Sequence, residues 1–138
     1  MIIIRCIPIL IFPVIVYNIL GFLAADILKE NLWTFNLLSG AQWVFSVSDL
    51  LLSISVICLY IEIFKSTRTS AISIVDHGLS LLVFIICLVE FIVIPQTGSS
   101  TFFIIMLMSL FDVIAGFTIT ISTARRDFGV GAHSAASH

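Results

Sequence analysis

From Thr101 to Thr123 the chain reads TFFIIMLMSLFDVIAGFTITIST, with Asp112 as its single ionisable residue. A helix rises about 1.5 Å per residue and the hydrocarbon core of a bilayer is roughly 30 Å thick, so about 20 mostly apolar residues suffice to cross it. This stretch exceeds that length and is apolar nearly all round, which suits a buried or membrane-spanning helix. Working outward, three more stretches meet the same test, at about 6–25, 42–64 and 72–94. Strands of a membrane barrel would be about ten residues long with strict in/out alternation, and these runs have neither property. The sequence therefore predicts an all-α, integral membrane, four-helix antiparallel bundle, with residues 1–138 as one domain.

Composition points the same way. Of 138 residues, 60% are hydrophobic and 10% charged, with a mean hydropathy of +1.24; soluble domains run near a quarter charged. That excludes an ordinary soluble domain and a disordered chain. A net charge of -2 leaves no basic surplus for nucleic acid. Three cysteines are too few and too scattered for a disulfide scaffold.

The connections set the threading. Lys65-Ser66-Thr67-Arg68-Thr69-Ser70 and Pro95-Gln96-Thr97-Gly98-Ser99-Ser100 are tight, and Pro95 ends its helix because it lacks an N–H for the ladder. Connections this short force neighbouring helices to be antiparallel. Residues 26–41 form a longer periplasmic loop, with Leu28, Leu32 and Phe35 at helical spacing. That spacing predicts a short surface helix, with Trp33 and Trp43 anchored at headgroup depth; the alternative is an irregular loop. Four crossings put Arg5, Lys65, Arg68, Arg125 and Arg126 on one side and only Lys29 on the other. The positive-inside rule then places both termini in the cytoplasm of a plasma-membrane protein. Residues 124–138 are a short cytoplasmic tail, its Arg125 and Arg126 suited to the helix C-terminus and anionic headgroups. The alternative for the first stretch is a signal peptide cut near Ala24-Ala25, which leaves three spans and the same cytoplasmic C-terminus.

Polar residues inside the spans fall on stripes. Gln42, Ser46, Asp49 and Ser53 share one face, as do Ser73, Asp76, Ser80, Cys87 and Glu90, then Ser109, Asp112, Gly116 and Thr120, and finally Asn18, Gly21 and Ala25. Inward-facing stripes of small and polar residues are what a membrane bundle packs with. Counted from the span centres, Asp112 lies near the midplane, and Asn18, Asp49 and Glu90 lie roughly 5–10 Å to its periplasmic side. Glu62 and Asp76 lie nearer the cytoplasmic ends, where Glu62 can pair with Lys65. Asp49, Glu90, Asp112 and Asn18 thus form a candidate proton or cation cluster without a nearby cation; the alternative is protonated carboxyls hydrogen-bonding between helices.

Other chemistry has little to stand on. Asp76 and His77 are adjacent, so a helix points them about 100° apart. Cys6, Cys58 and Cys87 form no C-x-x-C pair, and no metal or cofactor ligand set is visible. His133 and His138 sit in a tail of small residues, and no Gly-rich phosphate loop is present.

The ending Asp112-Val113-Ile114-Ala115-Gly116-Phe117-Thr118-Ile119-Thr120-Ile121-Ser122-Thr123-Ala124-Arg125-Arg126-Asp127-Phe128 resembles the last span of small, uncharacterised four-helix inner-membrane proteins of proteobacteria. The resemblance covers the last quarter of the chain; it implies a bacterial inner membrane and no particular activity. The chain's size is similar to that of small multidrug-resistance transporters. Those carry a glutamate in their first span, where this chain has Asn18 and no carboxylate. Two functions follow as expectations. The first is a non-enzymatic accessory or assembly subunit whose partner is another membrane protein or a second copy. The second is a small oligomeric proton- or cation-coupled transporter or channel using Asp49, Glu90 and Asp112.

Overall fold

The computed structural model describes residues 7–67 and 72–135, the backbone alone for 72–74 and 126–135. Four α-helices lie within these residues: α1 (Ile11–Leu23), α2 (Val47–Ser66), α3 (Ile72–Val93) and α4 (Ser100–Ala135). A 3-10 turn over Ala25–Lys29 and two strands, β1 (Asn31–Asn36) and β2 (Gln42–Ser46), join α1 to α2. Three helices are long and apolar enough to cross a membrane, over Val47–Ser66, Val75–Val93 and Ser100–Arg125.

The α3–α4 connection follows from its residues. Pro95 disfavours helical backbone at the residue before it, and Ile94 is accordingly extended, at φ -102° and ψ 117°. The Thr97 hydroxyl lies 2.7 and 2.8 Å from the Glu90 and Ile94 carbonyls and shares its proton with oxygens that also accept the Ile94 and Thr97 N–H groups, which reinforces the helix end. Ser99 then accepts the Phe102 N–H at 3.1 Å and starts α4.

α4 is the central helix and packs against both α2 and α3, while α1 lies against α2, α4 and the Pro95 turn. Val14, Tyr17, Leu51, Val83, Cys87, Phe102, Ile105 and Met106 make the core. Small side chains bring the helices close, with Ser55, Ser80, Cys87 and Ser109 all buried. The outer faces carry exposed Ile57, Val89, Ile92, Phe111, Ile114 and Ile121, an apolar exterior suited to lipid.

Four expectations need correction. The stretch at 6–25 yields a helix of only 13 residues, about 20 Å and short of the hydrocarbon thickness. Ala24 leaves helical backbone, at φ -159° and ψ 59°, and ends it. The expected surface helix at 26–41 is instead the 3-10 turn and an antiparallel hairpin, in which Trp33 pairs with Phe45, Thr34 with Val44, Phe35 with Trp43 and Asn36 with Gln42. Aromatic and β-branched residues on both strands favour a pleated ladder, and Gly40, at φ 81°, supplies the left-handed residue that closes the turn. The second span consequently starts at Val47 rather than near Gln42. Finally, α4 runs on as helix through the expected tail to Ala135.

The later start of α2 also turns its face. Ser53 is exposed and its hydroxyl bonds to the Asp49 carbonyl, whereas Leu51, Ser55, Glu62 and Ser66 point inward. On α3 and α4 the expected stripes do face in, at Asp76, Ser80, Cys87, Ser109, Asp112 and Gly116.

Candidate functional site

The largest polar cluster sits where the end of α2 meets the beginning of α3 and the chain entering α1. Glu62 and Lys65 are three residues apart, so a helix brings them to one side. Lys65 Nζ lies 2.5 Å from Glu62 Oε1 and 3.0 Å from Asp76 Oδ1, and donates to the Ile7 carbonyl at 3.3 Å. The Ile9 N–H donates to the other Glu62 oxygen at 2.7 Å. Ile9 precedes the N-cap of α1, and Glu62 satisfies its N–H just before the helix begins. One ammonium thus ties α2, α3 and the approach to α1. Both carboxylates are buried, Glu62 at 1% and Asp76 at 6% exposure, where unpaired charge is costly.

Asp112, also buried, stands beside the Ser80 hydroxyl and within electrostatic reach of Glu62, Asp76 and Lys65. Its neighbours are therefore those of the Glu62–Lys65–Asp76 cluster. Next to it, His77 is 2% exposed and its Nε2 lies 3.0 Å from Thr120 Oγ1. The imidazole fills a notch over Gly116, where an added Cβ would come within 2.4 Å of Nδ1.

The other expected residues are distributed elsewhere. Asn18 Nδ2 donates to Glu90 Oε2 at 2.9 Å, linking α1 to α3. Beside this pair, buried Tyr17 reaches the α3–α4 turn, its hydroxyl 2.6 Å from Ser99 Oγ and donating to the Gln96 carbonyl at 3.2 Å. Ten residues separate Glu90 from Ser80, about 15 Å along α3, and Val83 and Cys87 fill the face between them.

Asp49 belongs to neither group. Its carboxylate accepts the Ser46 N–H at 2.9 Å and the Ser46 hydroxyl at 2.6 Å, while Ser46 Oγ accepts the Asp49 N–H at 3.3 Å. This reciprocal capping box starts α2 where β2 ends. Asp49, Glu90 and Asp112 are thus three separate sites. The Ser-x-x-Asp spacing was the sequence signal for the cap, and Glu62, three before Lys65, was the signal for the inner pair.

Trp33 and Trp43 stand on the hairpin, 57% and 49% exposed. Arg125 is exposed on α4; the Arg126 side chain is outside the described residues. Among the described residues, no group of three or more His, Cys, Asp and Glu side chains is placed to hold a metal ion. Compared with profiles of known protein families, with curated proteins and with solved structures, the chain matches none.

Proposed function

We propose that the chain is a non-enzymatic multi-pass protein of a bacterial inner membrane, serving as an accessory or assembly subunit whose partner is another membrane protein. The observation that supports this reading is the division of the carboxylates. Asp49 caps a helix, Glu90 holds Asn18, and Glu62 and Asp76 share Lys65. Asp49 is spent on starting α2 and the others on joining helices, and buried Val83 and Cys87 separate the Asn18–Glu90 pair from the Glu62–Lys65–Asp76 cluster. What the molecule presents outward is surface. The cytoplasmic placement of both termini rests on the lysine and arginine asymmetry.

The coupled-transport reading keeps one supporting observation. Three buried carboxylates, Glu62, Asp76 and Asp112, lie near the ammonium of Lys65, which pairs with the first two. One experiment separates the two. Purified protein in liposomes should carry no proton or cation flux, in the wild type or in Asp112→Asn, and should co-purify from native membranes with a membrane protein in stoichiometric amount. A flux that Asp112→Asn abolishes, with assembly intact, would overturn the subunit reading.

A further inference from the structure

The hairpin has one feature that the helical body does not explain. Cross-strand partners point to the same face, so the pairings Trp33 with Phe45 and Phe35 with Trp43 put four rings on one side. The rings form a ladder, with centroids 6.1 Å apart for Trp33 and Phe45, and 5.6 Å for both Phe35–Trp43 and Trp43–Phe45. Trp33, Phe35 and Trp43 are exposed, as are Leu37 and Leu38 at the tip. A two-stranded hairpin is marginal by itself in water, and an apolar face of this kind calls for something to cover it.

Its position says what that is. α2 has 20 residues, about 30 Å, which matches the hydrocarbon thickness. Ser46 is both the last residue of β2 and the N-cap of α2, so the hairpin begins where the helix leaves hydrocarbon. Its root is pinned there: the Val47 N–H donates to the Glu30 carbonyl at 3.0 Å, and the Ser48 hydroxyl donates to the Leu28 carbonyl. Asn31 through Ser48 contains no charged residue, although Asp26, Lys29 and Glu30 precede it directly. Among the described residues each strand has one partner, so its outer edge carries backbone donors and acceptors that no strand there pairs. Hydrocarbon cannot satisfy those groups, whereas water and the ester and phosphate oxygens of the headgroup layer can. Indole rings are the side chains that concentrate at that depth.

We infer that the hairpin is a lipid-binding element that lies in the headgroup layer of the outer leaflet, its four-ring face turned toward the acyl chains. It extends α1, too short to span alone, with an anchor that fixes the depth of the bundle. The inference rests on the multi-pass reading above.

The chain's two tryptophans are both on this face, so intrinsic fluorescence reports the hairpin alone. Full-length protein would be reconstituted into phosphatidylcholine vesicles brominated either near the glycerol or near the chain end, and checked by flotation. The expected result is blue-shifted emission, strong loss of intensity with shallow bromines, weaker loss with deep ones, and little quenching by aqueous iodide. Trp33→Phe and Trp43→Phe, taken singly, should each show the same pattern. Floating protein with strong iodide quenching and no bromine effect would overturn the inference and leave the multi-pass reading standing. Protection from both quenchers would overturn it too, since the face would then be covered by protein. Failure to float would remove the multi-pass reading and this inference together.

Discussion

Gly116→Ala tests the packing of α3 on α4, because two opposed effects meet at one methyl group. Alanine favours helix over glycine by about 1 kcal/mol, so an unobstructed site should gain stability. Here the new Cβ would lie 2.4 Å from His77 Nδ1, 2.7 Å from Cε1 and 3.1 Å from Cγ, inside contact distance for the whole near edge of the ring. The ring cannot retreat freely. It is buried, its Nε2 is engaged with Thr120 at 3.0 Å, and Phe117 lies beside it with centroids 5.8 Å apart. Forcing a methyl into a filled site costs about 1–3 kcal/mol, and a displaced hydrogen bond adds about 1 kcal/mol. The clash wins over propensity, for a net loss of about 2 kcal/mol. Equilibrium unfolding by SDS titration in mixed micelles, followed by circular dichroism, would measure it. Two comparisons isolate the cause. Gly78→Ala, one residue from His77 but with nothing within 4 Å of its added Cβ, should be neutral or stabilising. In a His77→Ala background the notch is empty, and Gly116→Ala should then change sign and stabilise. If Gly116→Ala were as stable as wild type with His77 present, or cost the same with and without it, the notch would not be holding the helices together.

Lys65→Met removes the one ammonium between Glu62 and Asp76 and should cost about 3–5 kcal/mol in the same unfolding assay, as expected when a buried charge loses its partner. Adding Glu62→Gln and Asp76→Asn should recover most of that loss, and no recovery would mean that packing by the lysine stem is what matters. For topology, reporter fusions within 96–100 should read periplasmic and fusions after Ala135 cytoplasmic; a periplasmic C-terminus would reverse the orientation.

The parts of the fold legible in the sequence are those where one physical signal dominates. α3 and α4 are long apolar runs separated by Pro95, and their small and polar residues recur at helical spacing, so both length and inward face could be read directly. The region from 26 to 46 is different because two periodicities coincide there. Leu28, Leu32 and Phe35 fit a helix, while Trp33 and Phe35, with Trp43 and Phe45 across the turn, fit a strand pair. The second pattern depends on a register between separated segments, which a scan along one helical face does not detect. Hydropathy also cannot tell Trp43-Val44-Phe45 in a strand from the same residues opening a helix, so it puts the start of α2 five residues before Val47 and its polar face on the wrong side.

The same displacement explains the site. Inward stripes and depth together put Asp49, Glu90 and Asp112 in one group, but neither says which side chain each carboxylate meets. A capping box spends Asp49 at the start of α2, a local event already encoded in Ser46 and Asp49. Asp112 and Glu90 each have a partner on another helix: Ser80 in one case, Asn18 in the other. Such pairings depend on how α1 and α3 rotate against the central helix, which is set by small buried residues such as Ser55, Cys87 and Ser109. Intramembrane carboxylates read at one depth therefore define a cluster only after each has been tested for a local cap and for a partner across the nearest helix contact. Here Asp49 has its cap and Glu90 its Asn18, which leaves Lys65, with its two carboxylates, as the polar junction of α2, α3 and the approach to α1.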